Sequence, residues 1–387
     1  MNQFAIKGWC PGALRPMRSG DGLVVRIRPH GGRLSPAQAL GIADLADRFG
    51  SGLMDVTSRA NLQIRGVGDD GHPALIAALA GLDLIDADPE AEARRNIVVA
   101  PFWSEGDDTL PLALELEHAL AAHSLALPVK FGFAVDCGAA CSLADTSADI
   151  RIERDRVGAL IVRADGAQNG RAVARSAVVP VALDLAQWFI ASGGASGGRG
   201  RMAAHLAAGA KLPEALAGAA RPARSMSPPR PGILAGGALV GLGFGQLKAA
   251  TLRDLAQRAD GLRLTPWRMI FAEGRREMPD CDGIVTNADD PILRVIACSG
   301  APCCGAAHAE TRVLAGALAP RIPAGAKLHV SGCAKGCAHP GPAPLTLVAT
   351  TRGFDLIRDG SARAAPVMRG LDRDSILADP SLFGSTG

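Results

Sequence analysis

The chain has 387 residues, of which 48% are hydrophobic, so it predicts a globular protein of about two to four domains. A formal net charge of only +3 argues against a nucleic-acid partner, and 4% aromatic residues argue against ligand binding by aromatic stacking. The sequence has no apolar run of about 18 residues and no secretory leader pattern, so we expect a cytoplasmic protein with reduced thiols and no membrane segment.

The first periodic elements predict a strand–helix–strand unit. Residues Leu23–Arg28 have the composition of a strand, and Pro36–Phe49 have the amphipathic pattern of a helix that begins after Ser35 as N-cap. Residues Leu53–Arg65 are again extended in pattern. The unit therefore begins a sheet covered by one helix.

Arginines cluster at the ends of these early elements. Arg59 and Arg65 flank polar residues of the second strand, and Arg95 precedes the apolar strand Ile97–Ala100. Guanidinium groups that converge on a cleft bind carboxylates with two parallel hydrogen bonds. An anionic ligand is the functional interpretation, and solvated surface arginines are the alternative.

A second unit later in the chain repeats the order of the first. It comprises Ala238–Gln246, Lys248–Arg258 and Leu262–Thr265, and both units end in a threonine followed closely by an arginine, in Thr57-Ser58-Arg59 and Thr265-Pro266-Trp267-Arg268. The pattern indicates a diverged internal duplication. Two ferredoxin-like halves of this kind can join edge to edge and leave a cleft for a large ligand.

Connectors rich in Gly, Pro and Ser at 193–200 and 222–231 suggest the domain boundaries. The predicted domains are a first ferredoxin-like half at 1–70, a first α/β domain with its linker at 71–225, a second ferredoxin-like half at 226–285, and a last domain at 286–387 that is rich in cysteine.

Four cysteines near the end of the chain, Cys298, Cys304, Cys333 and Cys337, have the spacing C-x5-C and C-x3-C, which suits an iron–sulfur cluster and predicts redox chemistry. Zinc knuckles favour narrower gaps, and buried apolar cysteines are a further alternative. Because Cys303 adjoins Cys304, the first gap can also be read as four residues.

The remaining cysteines and one glycine-rich run carry weaker signals. Cys137 and Cys141 form a C-x3-C pair without two partners, so ordinary buried thiols are expected there, and Cys10 and Cys281 are expected to be structural. The run at 236–245 lacks the order of a dinucleotide-binding loop, so electrons should arrive from a separate reductase.

Several segments resemble motifs of the sirohaem-dependent nitrite and sulfite reductases. They are the T-x-R-x-x-x-Q-x-R/H-G motif at Thr57–Gly66, the R-N-V element at Arg95-Asn96, the L-P-R-K-F-K element at Leu127–Phe131, and the cluster motifs at Ala297–Gly305 and Ser331–Cys337. The resemblance implies an α+β fold in which duplicated ferredoxin-like halves join α/β domains, one of which carries the cluster.

One departure narrows the resemblance. Gly132 stands where the reductases have a lysine that helps hold sulfite or nitrite. Together with the opening motif at 8–17, the Thr265–Arg268 signature and the segment Ser331–Pro340, this makes the chain similar to the precorrin-3B synthases, a family within the same superfamily.

That resemblance implies a tetrapyrrole substrate, precorrin-3A, in aerobic cobalamin biosynthesis. Dioxygen as co-substrate hydroxylates the meso carbon between rings D and A, and the ring A acetate closes a γ-lactone. The implied cofactors are a [4Fe–4S] cluster held by the four cysteines and a mononuclear non-haem iron. The sequence shows no H-x-D/E pattern for that iron, so none of its histidines is assigned, and no catalytic residue is named. The implied carboxylate ligands are Arg59, Arg65, Arg95, Lys130 and Arg268.

Two other functions compete with this one. A sulfite or nitrite reductase with sirohaem is disfavoured by Gly132. An electron-transfer protein that only carries a cluster is disfavoured by the cleft arginines and by two large flanking halves. The oligomeric state is not predicted.

Overall fold

A computed structural model describes residues 11–227 and 229–383, and the strands in this part of the chain form four mixed or antiparallel sheets. The opening motif at 8–17 lies partly, and Cys10 wholly, outside the described residues. None of the described helices has both the length and the apolar character needed to cross a bilayer.

The first unit contributes four of the five strands of an antiparallel sheet, against which its first helix packs. Its helix α1 begins where the sequence predicts, because Ser35 Oγ accepts a hydrogen bond from the Gln38 amide and the Gln38 side chain accepts one from the Ser35 amide. Its elements are β1 (Met17–Ser19), β2 (Gly22–Ile27), β3 (Arg33–Leu34), α1 (Pro36–Phe49), β4 (Leu53–Val56), β5 (Leu62–Val67) and α2 (His72–Ala80).

The central α/β unit follows. Strands β6, β7 and β8 are parallel, and β9 and β10 continue the sheet in antiparallel pairing. Phe131, Phe133 and Phe189 fill its core. Its elements are α3 (Pro89–Arg94), β6 (Ile97–Val99), α4 (Thr109–Ala122), β7 (Phe133–Asp136), β8 (Ile150–Arg154), β9 (Leu160–Ala164), β10 (Arg171–Ala172), α5 (Val178–Ala191) and α6 (Met202–Ala207).

The second unit repeats the first and exchanges an edge strand with it. Its elements are β11 (Gly232–Leu234), β12 (Gly237–Leu242), β13 (Gln246–Lys248), α7 (Ala249–Gln257), β14 (Leu262–Leu264), β15 (Met269–Glu273) and β16 (Ile284–Val285). The two sheets have the orders β1-β2-β5-β4-β13 and β11-β12-β15-β14-β3. Each sheet therefore takes its last strand from the other unit, and α1 packs against α7. The internal duplication is confirmed.

The exchange explains one difference from the predicted elements. The extended segment expected at Ala238–Gln246 ends at Leu242, because a turn at Gly243–Gly245 redirects the chain into β13, which pairs with β4 of the first unit. The left-handed backbone of Phe244 and Gly245 makes this turn.

The last α/β unit repeats the plan of the central one. Its order is β17-β18-β19-β20-β21, in which β17, β18 and β19 are parallel and the remaining pairs are antiparallel. The duplication thus extends to both α/β units. The elements are β17 (Val295–Ala297), α8 (Arg312–Leu318), β18 (Leu328–Ser331), β19 (Ala343–Thr350), β20 (Gly353–Gly360), β21 (Met368–Leu371) and α9 (Arg373–Ala378).

Candidate functional site

The four cysteines of the cluster motif lie on two loops at one edge of the last sheet. β17 and β18 are parallel neighbours, with Ala297 opposite Val330. Because the carboxyl ends of parallel strands meet at the same edge, Cys298 lies beside the loop after β18 that carries Cys333. The Gly332 amide donates a hydrogen bond to Cys298 Sγ over 3.2 Å, so the two loops are in contact.

Cys298, Cys304 and Cys333 lie close enough to Cys337 to affect the pKa of its thiol. Burial raises the pKa of Cys337, Lys335 opposes that effect, and the thiols of Cys333, Cys298 and Cys304 raise the pKa further. Neighbouring thiols lose their protons together only when cations offset the accumulated negative charge, as iron ions do. The donor set therefore fits an iron–sulfur cluster.

Cys303 interacts with a different set of groups. Burial and Asp21 raise the pKa of its thiol, whereas Arg65 and Arg312 lower it. Cys333 and Cys337 respond instead to Cys304. The arrangement favours Cys304, and with it the C-x5-C spacing.

Two glycines allow close packing within and between the loops that follow β17 and β18. Gly300 has a φ of +65°, and a Cβ there would lie 2.6 Å from Thr311 Oγ1. A Cβ on Gly332 would lie 2.7 Å from the Cβ of Ala307. A side chain at Gly332 would push the two loops apart, and one at Gly300 would distort the loop between β17 and α8.

Two of the five predicted carboxylate ligands are engaged inside the protein. Arg65 donates through Nε and Nη2 to Asp21, at 2.9 Å each, and through Nη1 to Asp55 at 3.2 Å. Arg95 donates to both oxygens of Asp86, at 2.7 and 2.8 Å. Burial lowers the pKa of both guanidiniums, but the paired carboxylates outweigh it and the net shift is upward. These contacts give Arg65 and Arg95 internal partners.

The other three predicted ligands lie at the protein surface or in a cleft. Arg59 Nη2 donates to the backbone carbonyl oxygen of Lys130 over 3.2 Å. Arg268, whose φ is +60°, donates to the Ala338 carbonyl oxygen over 2.7 Å. Burial and the neighbouring Arg312 lower the pKa of Arg268.

The cleft that contains Arg268 has a volume of about 610 Å³. Its walls come from the second ferredoxin-like half, with Phe244 and Trp267, and from the last α/β unit, with Leu293 and His339. Because His339 is two residues beyond Cys337, the cleft lies beside the cysteine loops. Its size lies within the range of about 300–1,000 Å³ that is usual for small-molecule sites.

Three further cations line this cleft and were missed from the sequence: Arg230, which is paired with Asp289 of the same lining, Arg294 and Lys327. Arg294 and Lys327 come directly before β17 and β18. Arg294 Nη2 donates to the Ile322 carbonyl oxygen, whereas its buried Nε has no partner among the described residues. A cation directly before each of two adjacent parallel strands is the signal that could have identified Arg294 and Lys327.

His329, on β18, is fully buried under the Cys333–Cys337 loop, and neither ring nitrogen has a partner among the described residues. Its ring packs edge to face with that of His339, at 5.7 Å between centroids. Burial lowers the pKa of His329 to about 4, and His339 and Arg268 add to this shift. Within the described residues, no three His, Cys, Asp or Glu side chains converge as ligands of a single metal ion.

Gly132 has a structural reason for lacking a side chain. A Cβ there would lie 2.7 Å from Asn96 Nδ2, and Asn96 Nδ2 donates to the Phe131 carbonyl oxygen over 2.8 Å. The Gly132 amide donates to Asp149 over 3.0 Å. The contact joins two of the sequence motifs and leaves no space for a lysine in this backbone arrangement.

The second cysteine pair lies in the central unit. Cys137 and Cys141 are buried, and burial raises the pKa of Cys137 to about 12 and that of Cys141 higher still. Cys141 Sγ lies 3.4 Å from a Glu153 carboxylate oxygen. Carboxylates beside the thiols disfavour thiolate formation. Cys281 is half-buried.

Comparison with known proteins agrees with this architecture. Residues 15–82 match the family model of the nitrite/sulfite reductase ferredoxin-like half domain. The NirA protein of Mycobacterium tuberculosis has the same fold, with a TM-score of 0.68 and 17% identity, over 92% of this chain and 79% of that one. A precorrin-3B synthase from Sinorhizobium sp is 31% identical over an alignment of 395 positions, which covers 93% of this chain and 84% of the relative. At this identity and coverage, the chain belongs to the precorrin-3B synthase family.

Proposed function

We propose that this chain hydroxylates precorrin-3A at the meso carbon between rings D and A, in an oxygen-dependent reaction that closes a γ-lactone, as a step of aerobic cobalamin biosynthesis. The observation that carries the proposal is the packing of Gly132 against Asn96. This contact leaves no space for the oxyanion-binding lysine that the reductases have at this position, although the fold is otherwise shared. The likeness to a precorrin-3B synthase over nearly the whole chain supports it.

The reaction requires electrons from outside the substrate. One atom of O2 enters the product and the other leaves as water, which takes up two electrons and two protons. A [4Fe–4S] cluster bound by Cys298, Cys304, Cys333 and Cys337 would deliver electrons from an external donor or reductase. The cysteines would hold this group beside the cleft that contains Arg268 and His339.

The acetate and propionate groups of the substrate require cationic partners. Arg268, Arg294 and Lys327 line the cleft, and the Arg59 guanidinium donates to the backbone of Lys130. Trp267 and Phe244 would cover the apolar face of the macrocycle. We assign substrate binding to these cations, while Arg65 and Arg95 hold internal carboxylates.

A mononuclear iron, expected from the family resemblance, does not find three protein ligands among the described residues. We therefore assign no residue and no reaction step to it. Buried His329 and its neighbour His339 are the imidazoles nearest the cleft, and the described residues place no carboxylate with them to complete a facial triad.

The test is anaerobic purification followed by turnover with labelled oxygen. Cluster absorbance without a sirohaem band, with precorrin-3A converted by reductant and ¹⁸O2 to a product that carries one labelled atom, would support the proposal. A Cys333→Ser variant is the matched control, because it should lose the cluster and the product together. Bound sirohaem, unreacted precorrin-3A and turnover of sulfite or nitrite would instead establish a reductase.

A further inference from the structure

The peptide that precedes Cys304 is held by the first ferredoxin-like half. The carbonyl oxygen of Cys303 accepts hydrogen bonds from the Gly20 amide at 3.1 Å, from Arg65 Nη2 at 3.2 Å and from Ser19 Oγ. These donors belong to the β1–β2 turn and to β5. We propose that Ser19, Gly20 and Arg65 form a clamp that positions the cluster loop, and that Arg65 sets the redox potential of the cluster and does not bind the substrate.

The orientation of Arg65 is fixed by the surrounding carboxylates. Asp21 takes two of its N–H groups and Asp55 a third, while the other oxygen of Asp55 accepts from Arg312 Nη2 over 2.7 Å. Arg65 is 5% exposed. Because Arg312 is the first residue of α8, the same ion-pair network connects the first ferredoxin-like half to the last α/β unit at a second point. A buried guanidinium held this way is poorly placed to meet a substrate carboxylate.

The clamp also requires that its middle residue be glycine. A Cβ on Gly20 would overlap the carbonyl oxygen of Pro302, next to Cys303. The Gly20 backbone is not in the left-handed region, so alanine would cause a clash without backbone strain. Gly20→Ala therefore displaces the loop while leaving every charge in place.

The charges predict the direction of the effect. Reduction adds one electron to the cluster, so a nearby cation favours the reduced form and a nearby anion disfavours it. The clamp region holds two guanidiniums, Arg65 and Arg312, against two carboxylates, Asp21 and Asp55. Removing Arg65 leaves an excess negative charge, and removing the charge of Asp21 leaves an excess positive one.

The inference rests on the proposed cluster and can be measured without turnover. The full chain with its cluster is titrated with dithionite and mediator dyes, and the reduced cluster is followed by electron paramagnetic resonance. At a fixed potential, Arg65→Gln should lower the ratio of reduced to oxidised cluster about tenfold, and Asp21→Asn should raise it. Arg95→Gln, which removes an equally buried guanidinium from a different carboxylate, should leave this ratio unchanged.

The outcomes separate the possible roles. Weaker binding of precorrin-3A by Arg65→Gln with an unchanged potential would overturn the clamp and make Arg65 a substrate ligand, and equal shifts in Arg65→Gln and Arg95→Gln would overturn it as well. If Arg65→Gln does not fold, Gly20→Ala should lose iron to a chelator faster than the parent chain, and an unchanged rate would refute the clamp. Potentials that shift as stated in a chain that does not convert precorrin-3A would support the clamp and overturn the proposed function.

Discussion

At the scale of single residues, backbone geometry determines the contacts made at Gly132 and Arg268. Gly132 allows Asn96 to bridge to the Phe131 carbonyl oxygen, and Arg268 takes a left-handed backbone that directs its guanidinium to the Ala338 carbonyl oxygen beside the cleft.

The Gly132 contact predicts a cost for the smallest possible side chain. Gly132→Ala should displace Asn96 and destabilise the protein by about 1–3 kcal/mol, because overpacking and a broken buried hydrogen bond act together. Urea unfolding measures the change. Gly138→Ala is the matched control, because a Cβ there would be 3.5 Å from its nearest neighbour and should cost far less. Equal stabilities of the two variants would refute the packing argument.

His329 predicts a pH dependence of stability. Its pKa falls from about 6.5 in the unfolded chain to about 4 in the folded protein. The unfolded chain therefore binds the proton first as the pH falls, so the stabilising contribution is complete above about pH 6.5 and is lost progressively toward pH 4. The loss should reach roughly 1–2 kcal/mol at pH 5.

The measurement compares urea midpoints of the parent chain and His329→Gln, both with the cluster bound, between pH 5 and pH 7.5. Because the acid sensitivity of the cluster is common to both proteins, only the difference between the two curves reports on His329. Parallel curves would show that the imidazole titrates normally in the folded protein.

At the scale of elements, the strand exchange is the feature that local sequence patterns could not reveal. The strand–helix–strand order, the helix Pro36–Phe49 with its Ser35 cap, and the duplication were all visible, because they depend on residues close in sequence. The pairing of β13 with β4 and of β3 with β14 joins residues about 200 positions apart, and short strands of two or three residues have almost no periodicity.

The same limit applies to the site. The C-x5-C and C-x3-C pattern was visible because its spacing is local, and the structure places Cys298, Cys304 and Cys333 near Cys337. The partners of Arg65 and Arg95 were not visible, since Asp21, Asp55 and Asp86 come from separate turns and strands. Whether an arginine meets a substrate or an internal carboxylate is decided by tertiary packing.

The exchange predicts that neither ferredoxin-like half folds alone. A fragment of residues 11–83 would lack β13, leave the edge of β4 unpaired and expose the face of α1 that packs on α7. It should show little dispersion in an amide NMR spectrum, and addition of a fragment of residues 229–286 should restore a folded spectrum. A well-dispersed spectrum of the first fragment alone would contradict the dependence on exchange.

At the scale of the whole molecule, the chain contains two duplicated pairs of units, the two ferredoxin-like halves and the two α/β units. The central and last α/β units have the same strand order, yet only the last places a four-cysteine set at the ends of its parallel strands. The Arg65 network then ties that unit to the first half, while the cleft lies between it and the second half. The last α/β unit thus contacts both ferredoxin-like halves.

The structure of the glycine-rich run predicts that the chain does not take electrons directly from a nicotinamide. The glycine-rich run at 236–245 forms strand β12 and the turn that follows it, and so it does not provide the strand-to-helix loop whose amides bind a pyrophosphate. Anaerobic incubation of the cluster-loaded protein with excess NADH or NADPH should leave the cluster oxidised, whereas dithionite should reduce it fully. The absorbance of the nicotinamide and the cluster signal in electron paramagnetic resonance measure this together. Stoichiometric oxidation of either nicotinamide by the chain alone would contradict the need for a separate reductase, and a ferredoxin with its reductase is the matched positive control.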